Sequence, residues 1–180
     1  MKKLIPLYLF TLFIANNLLA QSLKVADNGS SIRFVIKNFG IKTYGTFTGL
    51  KGTIIFNAKA LSTSTFNVSV AAKSINTNNS TRDNHLSKTD YFDVEKFETI
   101  SFNSSKITES SLPNRFFVVG NITIKGISKS VQFGFSAQPI TGGYLFEGEF
   151  EINRRDFGVG GSSAVLADKL KVFLKVEGKL

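Results

Sequence analysis

Cysteine and tryptophan are absent from this 180-residue chain, and histidine occurs once, at position 85. Without a thiol there is no disulfide, no thiolate nucleophile, no cysteine-based zinc site and no attachment point for an N-terminal lipid, so stability rests on the core alone. A lone imidazole cannot supply the paired ligands of a histidine metal site. Long apolar runs are missing too. Leu4 to Ala15 is the most apolar stretch, and it is shorter than the ~20 residues a spanning helix needs. Lying behind Met1-Lys2-Lys3 and ahead of Leu18-Leu19-Ala20, it reads as a signal peptide, with cleavage expected before Gln21. Residues 1–20 are thus expected to direct the protein to the periplasm or the exterior. Residues 21–180 are expected to form one domain, long enough to bury roughly 70% of the surface its unfolded chain exposes.

Acidic residues are the minority charge. Thirteen Asp and Glu against 22 Lys and Arg give +9, which falls to +7 once Lys2 and Lys3 leave with the leader. The surplus is spread singly, as at Lys24, Lys37, Lys42, Lys51, Lys59, Lys73, Lys125 and Lys171, with no basic run and no recognition-helix pattern. Nucleic acid is therefore not an expected partner. A transient, salt-screened attraction to anionic membrane surfaces is.

What the chain does have is alternation. Ile32, Phe34 and Ile36 alternate with polar or outward neighbours, as do Phe66, Val68 and Val70, then Val131, Phe133 and Phe135, then Phe146, Phe150 and Ile152 against Glu147, Glu149 and Glu151, and finally Leu170 to Val176. A period of two marks half-buried strands. About eight such strands, separated by turn pairs such as Asn28-Gly29 and Gly142-Gly143, predict an antiparallel barrel or sandwich. One segment breaks the pattern. Residues 76–93 are polar and contain a stretch in which Arg82, His85 and Leu86 are spaced three and four apart, which predicts a short helical or loop insertion around residues 78–93 capped by Ser80 or Thr81.

Catalytic readings find little to stand on. His85 has no cysteine partner and no Gly-x-Ser-x-Gly elbow to serve. Asp156-Phe157-Gly158 matches a kinase triplet but lacks every other kinase part, and Gly158 to Ser162 lacks the Lys-Ser/Thr ending of a phosphate loop and reads as a plain loop. The unusual quantity is aromatic: eighteen phenylalanines and four tyrosines. Some belong to any β core. An eight-stranded closed sheet also has an interior able to hold one small ligand, so a greasy cavity and a filled core are both consistent with the pattern.

Three blocks carry a family resemblance. Arg82-Asp83-Asn84-His85-Leu86 with Asp90-Tyr91-Phe92-Asp93-Val94-Glu95-Lys96-Phe97, then Gly120-Asn121-Ile122-Thr123-Ile124-Lys125-Gly126, then Asn153-Arg154-Arg155-Asp156-Phe157-Gly158 together resemble, in order and spacing, the YceI-like, polyisoprenoid-binding family. The resemblance implies an all-β fold: a single antiparallel, eight-stranded, lipocalin-like barrel, exported, enclosing an isoprenoid or other long-chain lipid and performing no catalysis. No cofactor is expected and, from one histidine and scattered carboxylates, no metal; a homodimer is left open. Two histidines that family members often carry around the first strand, in His-Ser and Lys-His-x-Gly, are missing, the segments here being Ser30-Ser31 and Lys37-Asn38-Phe39-Gly40. Strand parity and the implied barrel assign Phe34, Ile36, Phe47, Phe56, Phe102, Ile124, Phe133, Phe135 and Phe150 to the ligand lining. Arg82, His85, Arg154 and Asp156 are the head-group or rim candidates, each with a rival role as a salt bridge or loop cap. Two other classes compete: an outer-membrane barrel with its apolar face outward, and a small hydrolase or isomerase using the cavity.

Overall fold

Period-two segments become one antiparallel sheet of ten strands: β1 (Gln21–Val25), β2 (Ser31–Asn38), β3 (Ile41–Phe47), β4 (Lys51–Phe56), β5 (Thr65–Ala71), β6 (Thr99–Glu109), β7 (Arg115–Ile124), β8 (Ile127–Ile140), β9 (Gly143–Asn153) and β10 (Leu166–Lys179). The structure is a computed structural model that describes residues 21–180. The expected leader, residues 1–20, lies outside the described residues. Strand order is β1-β4-β5-β6-β7-β8-β9-β10-β2-β3, and β1 also pairs with β10, which closes the sheet.

Ten segments form eight staves. β1 and β2 lie end to end along β10, with Val25 opposite Gly178 and Ser31 opposite Lys175. β3 and β4 form the neighbouring stave in the same way, β3 against β2 and β4 against β1. Both staves break at the same level, and Asp27 joins the breaks: its two carboxylate oxygens accept from the Gly49 and Leu50 N–H groups, each at 2.8 Å. Gly49 turns there with φ 74°, a left-handed conformation that suits glycine. Above the break β3 leaves β5, and residues 72–98 fill the gap. A two-way bridge between Thr46 and Asn76 (3.0 and 2.9 Å) attaches this insertion to β3, while the Ala72 N–H donates to Glu98 O at its base.

The insertion holds one helix, α1 (Ser80–Leu86). Its cap is Asn79, not Ser80 or Thr81: the Asn79 side chain accepts from the Arg82 N–H at 2.9 Å. Asp83 then accepts from both the Thr77 N–H and hydroxyl, folding the preceding loop back onto the helix.

Apolar residues of the alternating strands face inward. On β9, Phe146 and Ile152 are buried, while Glu149 and Glu151 point outward to Lys171 (2.6 Å) and Lys169 (3.0 Å). These exposed pairs contribute little stability. Their placement does fix the polarity of the wall, apolar inside and charged outside, opposite to a barrel that faces lipid. Inward glycines make room for rings. A Cβ on Gly45 would collide with the Phe34 ring, and one on Gly120 would sit 2.5 Å from Phe102. The phenyl groups therefore lie against the wall instead of crossing the lumen.

Candidate functional site

The lumen differs along its axis. At the end holding the β4–β5, β6–β7 and β8–β9 connections, Phe56 meets Phe116, Phe146 and Tyr144 edge-on with centroids 5.2 to 5.3 Å apart, and Phe66 meets Phe135 and Phe146 at 5.2 and 5.4 Å. Leu23 and Val118 are completely buried beside them. This aromatic floor is solid. Toward the end that carries the insertion, the inward side chains no longer meet across the lumen, and a cavity of about 410 Å³ remains.

Phe34, Ile36, Phe47, Phe102, Ile124, Phe133, Phe135 and Phe150 line that cavity. Phe133 stacks on Phe150 at 4.7 Å and tilts against Phe102 at 5.6 Å, forming a continuous ring surface on one wall. Phe56 does not line it. Its parity is inward as expected, but its height is wrong: at 2% exposure it is the centre of the floor. Phe135 belongs to both regions, touching the floor rings below and the cavity above.

The mouth is built by α1, the rest of the insertion and residues 154–166. Arg82, His85 and Leu86 from α1 reach the cavity together, as their spacing predicts. The Arg82 Nε–H donates to Thr77 Oγ1 and one terminal N–H to Thr77 O, both at 2.7 Å, which leaves three guanidinium N–H groups unpartnered among the described residues. His85 is exposed and sets its ring against Tyr91 at 4.8 Å and 60°. Asp156 is exposed and does not reach the cavity.

Arg154 has another occupation. At 4% exposure it donates all five N–H groups: to the carbonyls of Ala167, Val159, Gly161 and Leu166, and to Asp168 at 2.9 Å. No donor is left for a head group. Arg154 clamps the 158–168 loop, and the Gly160 N–H, bonded to Asp90 O at 2.8 Å, ties that loop to the insertion. Among the described residues no group of three His, Cys, Asp or Glu side chains is placed to hold a metal ion.

Residues 23–178 match the family model for the YceI-like domain. The chain belongs to the YceI family. A UPF0312 protein of Serratia proteamaculans is 30% identical over 177 residues, covering 93% of this chain and 91% of the relative, and Protein YceI of Salmonella arizonae is 28% identical with the same coverage. Among solved structures, BcnA of Burkholderia cenocepacia superposes with a TM-score of 0.80 at 21% identity, over 84% of this chain and 98% of that one. A polyisoprenoid-binding domain from Saccharophagus degradans gives 0.71 at 12% identity, over 89% and 98%. At these identities the likeness is one of fold.

In this YceI barrel the three sequence blocks have separate duties. The first makes α1 and plugs the gap beside β3, with Phe92 edge-on to Phe47 at 5.6 Å. The second is the β7–β8 hairpin, and the third is the short turn whose Arg154 holds the mouth. Tyr91, Phe92, Phe157 and Val159 also line the cavity and were not assigned from the sequence. They sit outside regular strands, where alternation says nothing; the first block, being apolar at Tyr91-Phe92 inside a polar insertion, was the available signal.

Proposed function

We propose that this YceI protein binds the apolar chain of an isoprenoid lipid, of quinone or polyprenyl phosphate type, inside its barrel and keeps it from water for carriage, storage or sensing. The observation that carries the reading is the cavity: about 410 Å³, walled by phenylalanine and aliphatic side chains, above a floor that admits nothing. Its size falls within the range of small-molecule sites. An apolar chain in water costs roughly 25 cal/mol per Å² of its surface, and the ring-lined wall replaces that contact. The polyisoprenoid-binding name of the Saccharophagus degradans domain supports the same ligand class.

The mouth fits a polar or anionic head. Arg82 presents its free N–H groups beside His85 at the rim, and a guanidinium pairs well with phosphate or carbonyl oxygens. Arg154 and Asp156 take no part in this contact. In this reading the protein works outside the cytoplasm, delivered by the leader. It is a binder and not an enzyme. The cavity wall is mostly phenylalanine and aliphatic side chain, which suits holding an apolar chain.

Mass spectrometry of an organic extract of the purified protein tests the proposal. A polyprenyl or quinone species is the expected result. A fatty acid or amide would keep the lipid site and replace the ligand class. An empty extract, together with no rise in melting temperature on adding isoprenoid, would overturn it.

A further inference from the structure

The tip of the β2–β3 hairpin stands beside the mouth and breaks several local rules at once. Asn38-Phe39-Gly40-Ile41 is a two-residue turn with φ 50° at Phe39 and 76° at Gly40, the type I′ geometry that favours Asn-Gly. A phenylalanine in that left-handed position is strained. Its ring gains nothing from the barrel, for Phe39 is 72% exposed, as is Ile41, and Tyr44 follows at 61%. The Phe39 N–H donates to Val165 O at 2.8 Å, so the tip is held against the mouth loop, where Val165 is also exposed.

Charge adds to the anomaly. Lys37 and Lys42 face each other directly across the two strands, both exposed and neither in an ion pair among the described residues. Like charges opposite one another destabilise a hairpin. No carboxylate is near in sequence to relieve them. From Asn28 through Arg82 there are seven Lys and Arg and no Asp or Glu, whereas the rest of residues 21–180 carries thirteen of each. The whole surplus of the described chain therefore falls in the segment containing this hairpin. Protection of the β3 edge accounts for Lys42, but not for the exposed rings beside it.

We propose that this tip docks the barrel on an anionic bilayer, with Phe39 and Ile41 entering the interface, Tyr44 at head-group level and Lys37 and Lys42 against anionic lipid heads. Apolar side chains ringed by cations are the composition that binds such surfaces. Docking there brings the mouth to the membrane. Loading of the cavity from lipid rests on the function proposed above; docking itself does not.

Vesicle flotation of protein purified from cells expressing the full chain tests the idea, using equimolar phosphatidylglycerol and phosphatidylcholine against phosphatidylcholine alone. Wild type should float with the anionic vesicles and release as salt is raised. Phe39→Ser with Ile41→Ser should weaken binding at least tenfold, and Lys37→Gln with Lys42→Gln should weaken it by roughly fivefold per lysine and flatten the salt dependence. Phe117→Ser, at an exposed ring on the outside of β7 in the half that contains the floor, should bind as wild type does. Equal flotation of the tip variants and wild type would overturn docking. So would self-association lost in the tip variants without any vesicle dependence. Lipid extracted from the same variants is read separately, so an empty cavity with intact flotation rejects the cavity ligand and leaves docking standing.

Discussion

The two halves of the barrel use one residue type to opposite ends. In the floor, phenylalanine rings meet edge to face at 5.2 to 5.4 Å and fill the lumen. In the chamber above, equally inward phenylalanines lie along the wall, two of them, Phe34 and Phe102, seated over glycine, and leave about 410 Å³ open. The difference is not hydrophobicity. It is what lies across the lumen from each ring: another ring below, open space above. A filled core and an open cavity, which compete as readings of the sequence, both exist in the same molecule at different heights.

Breaking the floor should have the largest effect. Phe56→Ala leaves a void among four rings and should cost about 3 to 5 kcal/mol in lipid-free protein, read by denaturant unfolding, with no change in the stabilisation that added lipid gives. A loss below ~1 kcal/mol would mean that the floor is loose. Arg154→Met comes next, at about 3 kcal/mol. It strands four carbonyls and an aspartate around a buried site, and limited proteolysis should then cut within 158–168. Intact wild-type resistance would show that the clamp is not needed.

The chamber should respond differently. Phe150→Ala, whose ring already faces space on one side, should cost ~2 kcal/mol or less without lipid, while shrinking the rise in melting temperature that isoprenoid produces. If it costs as much as Phe56→Ala and the ligand effect is unchanged, the distinction between the halves fails. At the rim, His85→Ala removes one exposed ring contact to Tyr91 and should lower stability by only ~0.5 kcal/mol, with lipid content retained. Complete loss of lipid from a folded variant would make His85 a head-group contact.

Alternation in the sequence determines which way a strand residue faces, and every lining residue assigned that way does face inward. It carries no information about height. Phe56 and Phe102 have the same parity, yet one lies in the floor and the other in the chamber, because height follows from register with a partner strand far away in the chain. The breaks after β1 and β3 were illegible for a related reason: Asp27 joins them across 22 and 23 residues, beyond any local pattern. Arg154 was recognisable as a motif residue, but its choice between ligand and loop depends on carbonyls that become neighbours only after folding.

Closure by β10 also sets an order of events. The strand nearest the C-terminus is hydrogen-bonded to β9, to β2 and, through Lys179 and Gly178, to β1, so the earliest stave described must wait for the latest before the cylinder exists. Until then the growing chain is an open sheet with two unsatisfied edges and a greasy concave face. Contacts so distant in sequence make closure slow, and exposed edges invite pairing with other chains. A chain truncated before Leu166 would lack not a decoration but the seam, and aggregation rather than partial function is its expected fate.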